Sequence, residues 1–111
     1  MNIETKSYKH CDLIEVAGRV DSATAPQLAD AINALTDAGH FRIILDFSKL
    51  EFISSAGLRV LINAQKNCKR YNRGEVMLTA VPQNVYSALD LAGFTSLFTI
   101  KDTVIDAVGS F

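Results

Sequence analysis

The sequence has few cysteines, and those present are poorly placed for chemistry. Cys11 and Cys68 lie far apart, with no histidine or further cysteine at metal-ligand spacing. Two buried free thiols are therefore expected, rather than a disulfide or a metal site. An excess of charge of one sign is also missing. The formal net charge is −1, which argues against the basic stripe that a nucleic-acid partner needs. No apolar run approaches the roughly 20 residues of a membrane span. The start, Met1-Asn2-Ile3-Glu4-Thr5-Lys6, lacks the apolar core of a signal peptide. The expectation is a cytoplasmic protein in a reducing setting, with no membrane and no nucleic acid. Phosphate-cradling glycine loops of the Gly-x-x-x-x-Gly-Lys and Gly-x-Gly-x-x-Gly types are absent. Ile53-Ser54-Ser55-Ala56-Gly57 lacks the first glycine of a nucleophile elbow. His10 and His40 fall in expected loops, with no spacing that pairs them with a serine. Asp12, Asp21, Asp30, Asp37 and Asp46 are scattered. No enzyme activity, cofactor or metal is expected.

At 111 residues the chain holds one domain, residues 1–111, with no room for two cores. Its apolar fraction of 49% and charged fraction of 21% are those of an ordinary globular protein. Ile3 to Tyr8 reads as an edge strand, turning near Lys9-His10 into a stronger strand over Leu13 to Gly18. Gly18-Arg19-Val20-Asp21 is expected to leave the sheet. Thr24 is a candidate cap for a helix with Pro26 in its first turn. Leu28, Ile32 and Leu35 form its buried stripe, and Gly39 ends it in a left-handed conformation. Phe41 to Phe47 is almost continuously apolar, as in a central strand covered on both faces. Ser48 to Phe52 reads as a connection.

The helix after Ser55 buries Leu58, Leu61 and Ile62, with Gln65 and Cys68 continuing the stripe. It exposes Arg59, Asn63, Lys66 and Arg70. A turn at Asn72-Arg73-Gly74 leads to a buried strand, Glu75 to Ala80. Pro82 then opens a helix that holds Val85, Leu89 and Leu91-Ala92 and stops at Gly93. A last short strand, Leu97 to Ile100, precedes a helix over Thr103 to Val108 capped by Asp102. The order β-β-α-β-α-β-α-β-α implies an α/β fold: a mixed central sheet with an opening antiparallel hairpin and about four helices.

The informative stretch is Ile53-Ser54-Ser55-Ala56-Gly57-Leu58. Two serines stand between a strand and an amphipathic helix. Either can cap the helix, and a phosphate there would meet its positive end. Gly57 is expected to let a partner's backbone come close. Asp21 follows a neighbouring strand, so its loop is expected beside the serine loop.

Two segments resemble the signatures of a known family. Gly18-Arg19-Val20-Asp21 with Thr24-Ala25, and Leu45-Asp46-Phe47-Ser48-Lys49-Leu50-Glu51-Phe52-Ile53-Ser54-Ser55-Ala56-Gly57-Leu58, resemble those of anti-sigma factor antagonists. These are the single-domain members of the STAS group. The likeness spans essentially the whole chain, including the late Leu91-Ala92-Gly93-Phe94. It implies a partner switch. The unphosphorylated protein binds an anti-sigma factor, usually a serine kinase, and so frees a sigma factor. The kinase phosphorylates a serine on the antagonist, and a metal-dependent serine phosphatase resets it. By the motif, the phosphoacceptor is Ser55, with Ser54 the alternative. Asp21, Ser54, Ser55, Gly57 and Arg59 are the expected partner-binding residues. Asp21 positions the acceptor or touches the kinase. Arg59, one turn beyond Ser55, pairs either with the phosphate or with a partner carboxylate. Many relatives have aspartate where this chain has Ser54, and Ser or Thr where it has Ala56. A second role consistent with the same fold is an accessory subunit of a transporter or a signalling scaffold.

Overall fold

The computed structural model describes residues 1–70 and 74–111. Among the described residues, the segments rich in branched apolar side chains form one five-stranded sheet. The strands are β1 (Asn2–Ser7), β2 (Asp12–Val20), β3 (Arg42–Ile53), β4 (Glu75–Thr79) and β5 (Thr99–Lys101). They stand in the sheet in sequence order. The first pair is antiparallel, as a hairpin requires, and the others are parallel, each joined through a helix. The helices are α1 (Ala25–Asp37), α2 (Ser55–Lys69), α3 (Gln83–Leu91) and α4 (Val104–Gly109), with a 3₁₀ turn at Thr95–Leu97. The element order and the mixed sheet are those expected from the sequence.

The alternation of side chains along each strand divides the core into two layers. Ile14, Val16, Ile43, Leu45, Phe47, Val76 and Leu78 pack under α1, α2 and α3 against Leu28, Ile32, Leu61 and Leu89. Leu13, Ile44 and Met77 face the other way and are covered by Val104, Ala107 and Val108 of α4. Both cysteines are free and buried. Burial pushes the Cys68 thiol up to about 11. Burial, aided by the Asp12 carboxylate, also raises Cys11. Neither is a thiolate at neutral pH, so neither is a nucleophile or a ready metal ligand.

Several local expectations need correction. α3 buries Val85 and Leu89, but Leu91, two residues on and so on the opposite helix face, is 90% exposed, and Ala92 is exposed with it. β2 does not leave the sheet at Gly18, and Ser48 to Phe52 is not a connection. Both strands run on together, with Ala17 opposite Lys49, Gly18 opposite Leu50, Arg19 opposite Phe52 and Val20 opposite Ile53. Register shifts fall between Glu15 and Ala17 and between Gly18 and Arg19. These bulges break the two-residue period, so Ser48, Lys49, Glu51 and Phe52 are exposed while Leu50 and Ile53 are buried. Gly18 adopts φ +92, which a glycine accommodates without strain at the second shift. Thr24 stands at the cap position of α1 but makes no side-chain capping bond. At α4 the capping side chain is Thr103, which accepts from the Asp106 N–H at 3.2 Å, rather than Asp102. β4 ends at Thr79 because Ala80 turns to φ +51. Asn72 and Arg73 of the expected turn lie outside the described residues.

One polar side chain in the first core layer completes the sheet. Gln65 of α2 is buried. Its amide oxygen accepts from the Val76 N–H at 2.7 Å, and its amide nitrogen donates to the Val76 carbonyl at 3.2 Å and the Leu97 carbonyl at 2.8 Å. β5 first pairs with β4 at Met77. Gln65 therefore acts as a peptide group where β5 has not yet begun.

Candidate functional site

Parallel pairing of β2 and β3 carries both chain segments off the sheet at the same edge. The Ser54 N–H donates to the Val20 carbonyl at 2.8 Å, so the serine loop lies directly beside the loop that begins at Asp21. This is the adjacency expected from the topology.

The two serines do different things. Ser54 is the N-cap of α2, with extended backbone (φ −89, ψ 174), and its Oγ accepts from the Gly57 N–H at 3.3 Å. Its carbonyl accepts from the Leu58 N–H at 2.9 Å and so begins the helix. Ser55 is the first helical residue, exposed, and its hydroxyl takes part in no hydrogen bond among the described residues. The first turn of α2 carries no acidic residue. Its positive end is thus uncompensated, and an anion on Ser55 would sit where helix N–H groups and the dipole favour it. Replacing Ser54 by alanine is expected to lower stability by about 1 kcal/mol, whereas Ser54→Asp keeps the cap. Urea denaturation of the two variants checks this.

Asp21 shapes the neighbouring loop. Its Oδ1 accepts from the Ala23 N–H at 3.0 Å, the Thr24 N–H at 3.1 Å and the Thr24 hydroxyl at 3.2 Å. The Thr24 Oγ1 accepts in turn from the Asp21 N–H at 2.9 Å and lies 3.0 Å from the Arg19 carbonyl. The Thr24 and then the Ala23 backbone donors hold the Asp21 carboxyl below its ordinary value, with the nearby Arg19 charge adding a little. The carboxylate is the form that is hydrogen-bonded, so the order it gives the loop is complete above the ordinary aspartate range. That order is lost as pH falls through the lowered value. Amide exchange at Ala23 and Thr24 is expected to speed up at strongly acidic pH, and Asp21→Asn is expected to blunt that dependence.

Gly57 does not serve the role expected of it. It is buried, and a Cβ there would meet Ile53 Cγ1 at 2.6 Å and Val20 Cγ1 at 2.8 Å. The backbone that comes close is the protein's own: the glycine seats α2 on the ends of β2 and β3. Gly57→Ala is expected to destabilise by about 1–2 kcal/mol, because overpacking beside two branched side chains outweighs the helix-propensity gain. Thermal denaturation measures this.

Three features of this edge were missed in the sequence. The Arg19 guanidinium lies over the Phe52 ring at 4.4 Å from its centroid. Phe52 is 36% exposed beside the serine loop. Asn84 of α3 donates its side-chain N–H to the Glu51 carbonyl at 2.8 Å and ties that helix to the same strand end. The register Arg19 opposite Phe52 makes the ring contact, and reading Ser48 to Phe52 as a loop concealed it. Arg59 is exposed on α2, with no ion pair among the described residues. The edge thus brings Asp21, Ser54, Ser55 and Arg59 together with Arg19 and Phe52. It offers a surface of cationic, carboxylate, aromatic and hydroxyl groups. Among the described residues there is no cluster of three metal-ligating side chains, and no helix is long and apolar enough to cross a membrane.

The STAS domain family model matches residues 2–107. BtrV of Bordetella bronchiseptica, named as an anti-sigma factor antagonist, is 35% identical over 94 residues, covering 85% of this chain and 80% of its own. In structure, the Thermotoga maritima protein TM1081 matches with a TM-score of 0.90 at 20% identity, over 97% of this chain and 92% of that one. SpoIIAA of Bacillus in its phosphorylated form matches with a TM-score of 0.77 at 16% identity, over 98% of both chains.

Proposed function

The chain belongs to the STAS domain family of anti-sigma factor antagonists, and from that premise we propose that it is a binding protein switched by phosphorylation of Ser55. With a bare Ser55 it docks on an anti-sigma factor of the serine-kinase type, and a sigma factor is freed. The kinase then esterifies Ser55 and the two part. A metal-dependent serine phosphatase restores the docking form. The chain itself performs no catalysis in this cycle, which runs in the cytoplasm.

The observation that carries this reading is the division of labour between adjacent serines. The Ser54 hydroxyl is engaged by the Gly57 N–H, whereas Ser55 is exposed and its hydroxyl is unengaged among the described residues. A kinase can reach Ser55 without breaking the cap that starts α2. Asp21 orders the loop against which the acceptor stands, and Arg19, Phe52 and Arg59 supply exposed contact surface around it.

The test is to incubate the protein with its candidate kinase and ATP and to locate phosphate by mass spectrometry. Phosphate on Ser55, absent in Ser55→Ala, is the expected result. Modification of Ser54 alone would move the switch to the capping residue. No modification by any co-encoded anti-sigma kinase would refute the cycle.

A further inference from the structure

The end of the sheet opposite Ser55 holds a cavity of about 340 Å³. It is an open concavity lined by the β1–β2 turn, the α1–β3 connection, Arg42 and Gly74. The nine residues Asp12–Val20 of β2 separate it from the serine loop, a span of about 26 Å at the usual strand rise. No part of the phosphorylation switch uses it.

Its polar groups are unevenly charged. Asp12 is the carboxylate in its wall, only 5% exposed. Its two oxygens are already engaged, Oδ1 by the Ser7 hydroxyl at 2.9 Å and Oδ2 by His40 Nδ1 at 2.9 Å. That contact fixes the His40 ring while leaving the side chain half-exposed. Around it stand Lys9, His10 and Arg42. Neither Lys9 nor Arg42 has a carboxylate within ion-pairing distance among the described residues. The Arg42 charge is felt at the buried Cys11 thiol in the cavity wall, where it opposes the rise caused by burial. Tyr8, 43% exposed, stands at the rim.

We propose that this cavity is a binding site for a small phosphate monoester. Lys9 and His10 of the β1–β2 turn, His40 of the α1–β3 connection and Arg42 at the start of β3 line it. Lys9 and Arg42, without an ion pair among the described residues, supply two charges that suit the dianion of a phosphate monoester better than the single charge of a carboxylate. The cavity's size lies in the range of small-molecule sites. Tyr8 offers a flat apolar surface to the ester group. A polyanion is the poorer fit, because the basic groups are confined to one concavity on a chain of net charge −1.

The proposal is independent of the Ser55 switch, and its test reads a different part of the molecule. Backbone amide shifts of the ¹⁵N-labelled full chain are followed at constant ionic strength with phenyl phosphate, inorganic phosphate and acetate in turn, each to roughly 10 mM. Phenyl phosphate is expected to give saturable shifts confined to residues 7–12 and 39–42. Inorganic phosphate should bind there more weakly, and acetate most weakly. Arg42→Gln and Lys9→Gln are each expected to weaken phenyl phosphate about tenfold, with unchanged thermal stability. Tyr8→Ala should erase the advantage of the phenyl ester over inorganic phosphate. Equal responses to acetate and phosphate would overturn the proposal, as would shifts centred on residues 54–58, the absence of saturation, or undiminished binding by both charge variants.

Discussion

Phosphate on Ser55 is expected to weaken partner binding a few hundred-fold while leaving the domain folded and nearly as stable as before. The two halves of this result have separate causes. Within the domain, the added charge of about −1.5 to −2 falls at the start of α2. The first helical turn there has no acidic side chain of its own. The helix terminus stabilises an anion, and the Ser55 hydroxyl makes no hydrogen bond among the described residues that phosphorylation would break. Across an interface the balance reverses. A buried hydroxyl is satisfied by one or two hydrogen bonds, but a dianion must be stripped of water and must face the partner's own acidic groups. A penalty of about 3–4 kcal/mol gives the stated loss. Ser55→Asp carries less charge and is expected to lose affinity partially, with an unfolding free energy within about 1 kcal/mol of the parent. Ser55→Ala should bind like the bare form and resist switching. Titration calorimetry with the anti-sigma partner, paired with urea unfolding of each form, separates the two effects. Equal affinity of the phosphorylated and bare proteins would show that charge is not the switch.

Gln65→Ala is expected to be among the most damaging single substitutions, costing about 2–4 kcal/mol. The truncation leaves the Val76 N–H and carbonyl and the Leu97 carbonyl without the partners Gln65 supplies, at a place where Gln65 and Val76 are buried. Each orphaned buried group costs about 1–3 kcal/mol, partly relieved where water enters. Gln65→Leu fills the volume but restores none of these bonds. It is expected to remain well below the parent, which a pure cavity effect would not predict. Thermal and urea unfolding of both variants decide the matter. Near-native stability of Gln65→Leu would mean that packing, not hydrogen bonding, is what this residue contributes.

The contrast between these two sites shows what could be read before the fold was known. The serine pair is legible as a helix start because its signal is local: a strand, two small hydroxyl residues and an amphipathic helix follow one another in twelve residues or so of chain. The residues alone leave Ser54 and Ser55 equal, and the preference for Ser55 comes from the family resemblance. Gln65 shows in the sequence only as a polar residue on an apolar stripe. Its partners, Val76 and Leu97, are 11 and 32 residues away, and nothing along the chain announces them. Gly57 misled for a related reason. A glycine near a functional loop is consistent with many roles, and only the positions of Val20 and Ile53 show that it serves the protein's own packing. The extension of β2 and β3 past their expected ends escaped because the bulges destroy the alternation that marks a strand.

The order of patterns along the chain by itself determined the fold class: the opening hairpin, the central strand from its unbroken apolar run, and the alternating helices with their stripes. Such features depend on residues a few positions apart, so local propensity and period suffice to reveal them. The tertiary structure alone decided which serine is consumed as a cap and which stands free, that Arg19 rests on Phe52, and that Gln65 completes the edge of β4. It alone gathered Asp12, His40 and Arg42 around one cavity. Those outcomes depend on strand register and on contacts between distant segments. They are fixed only when the whole chain has closed on itself.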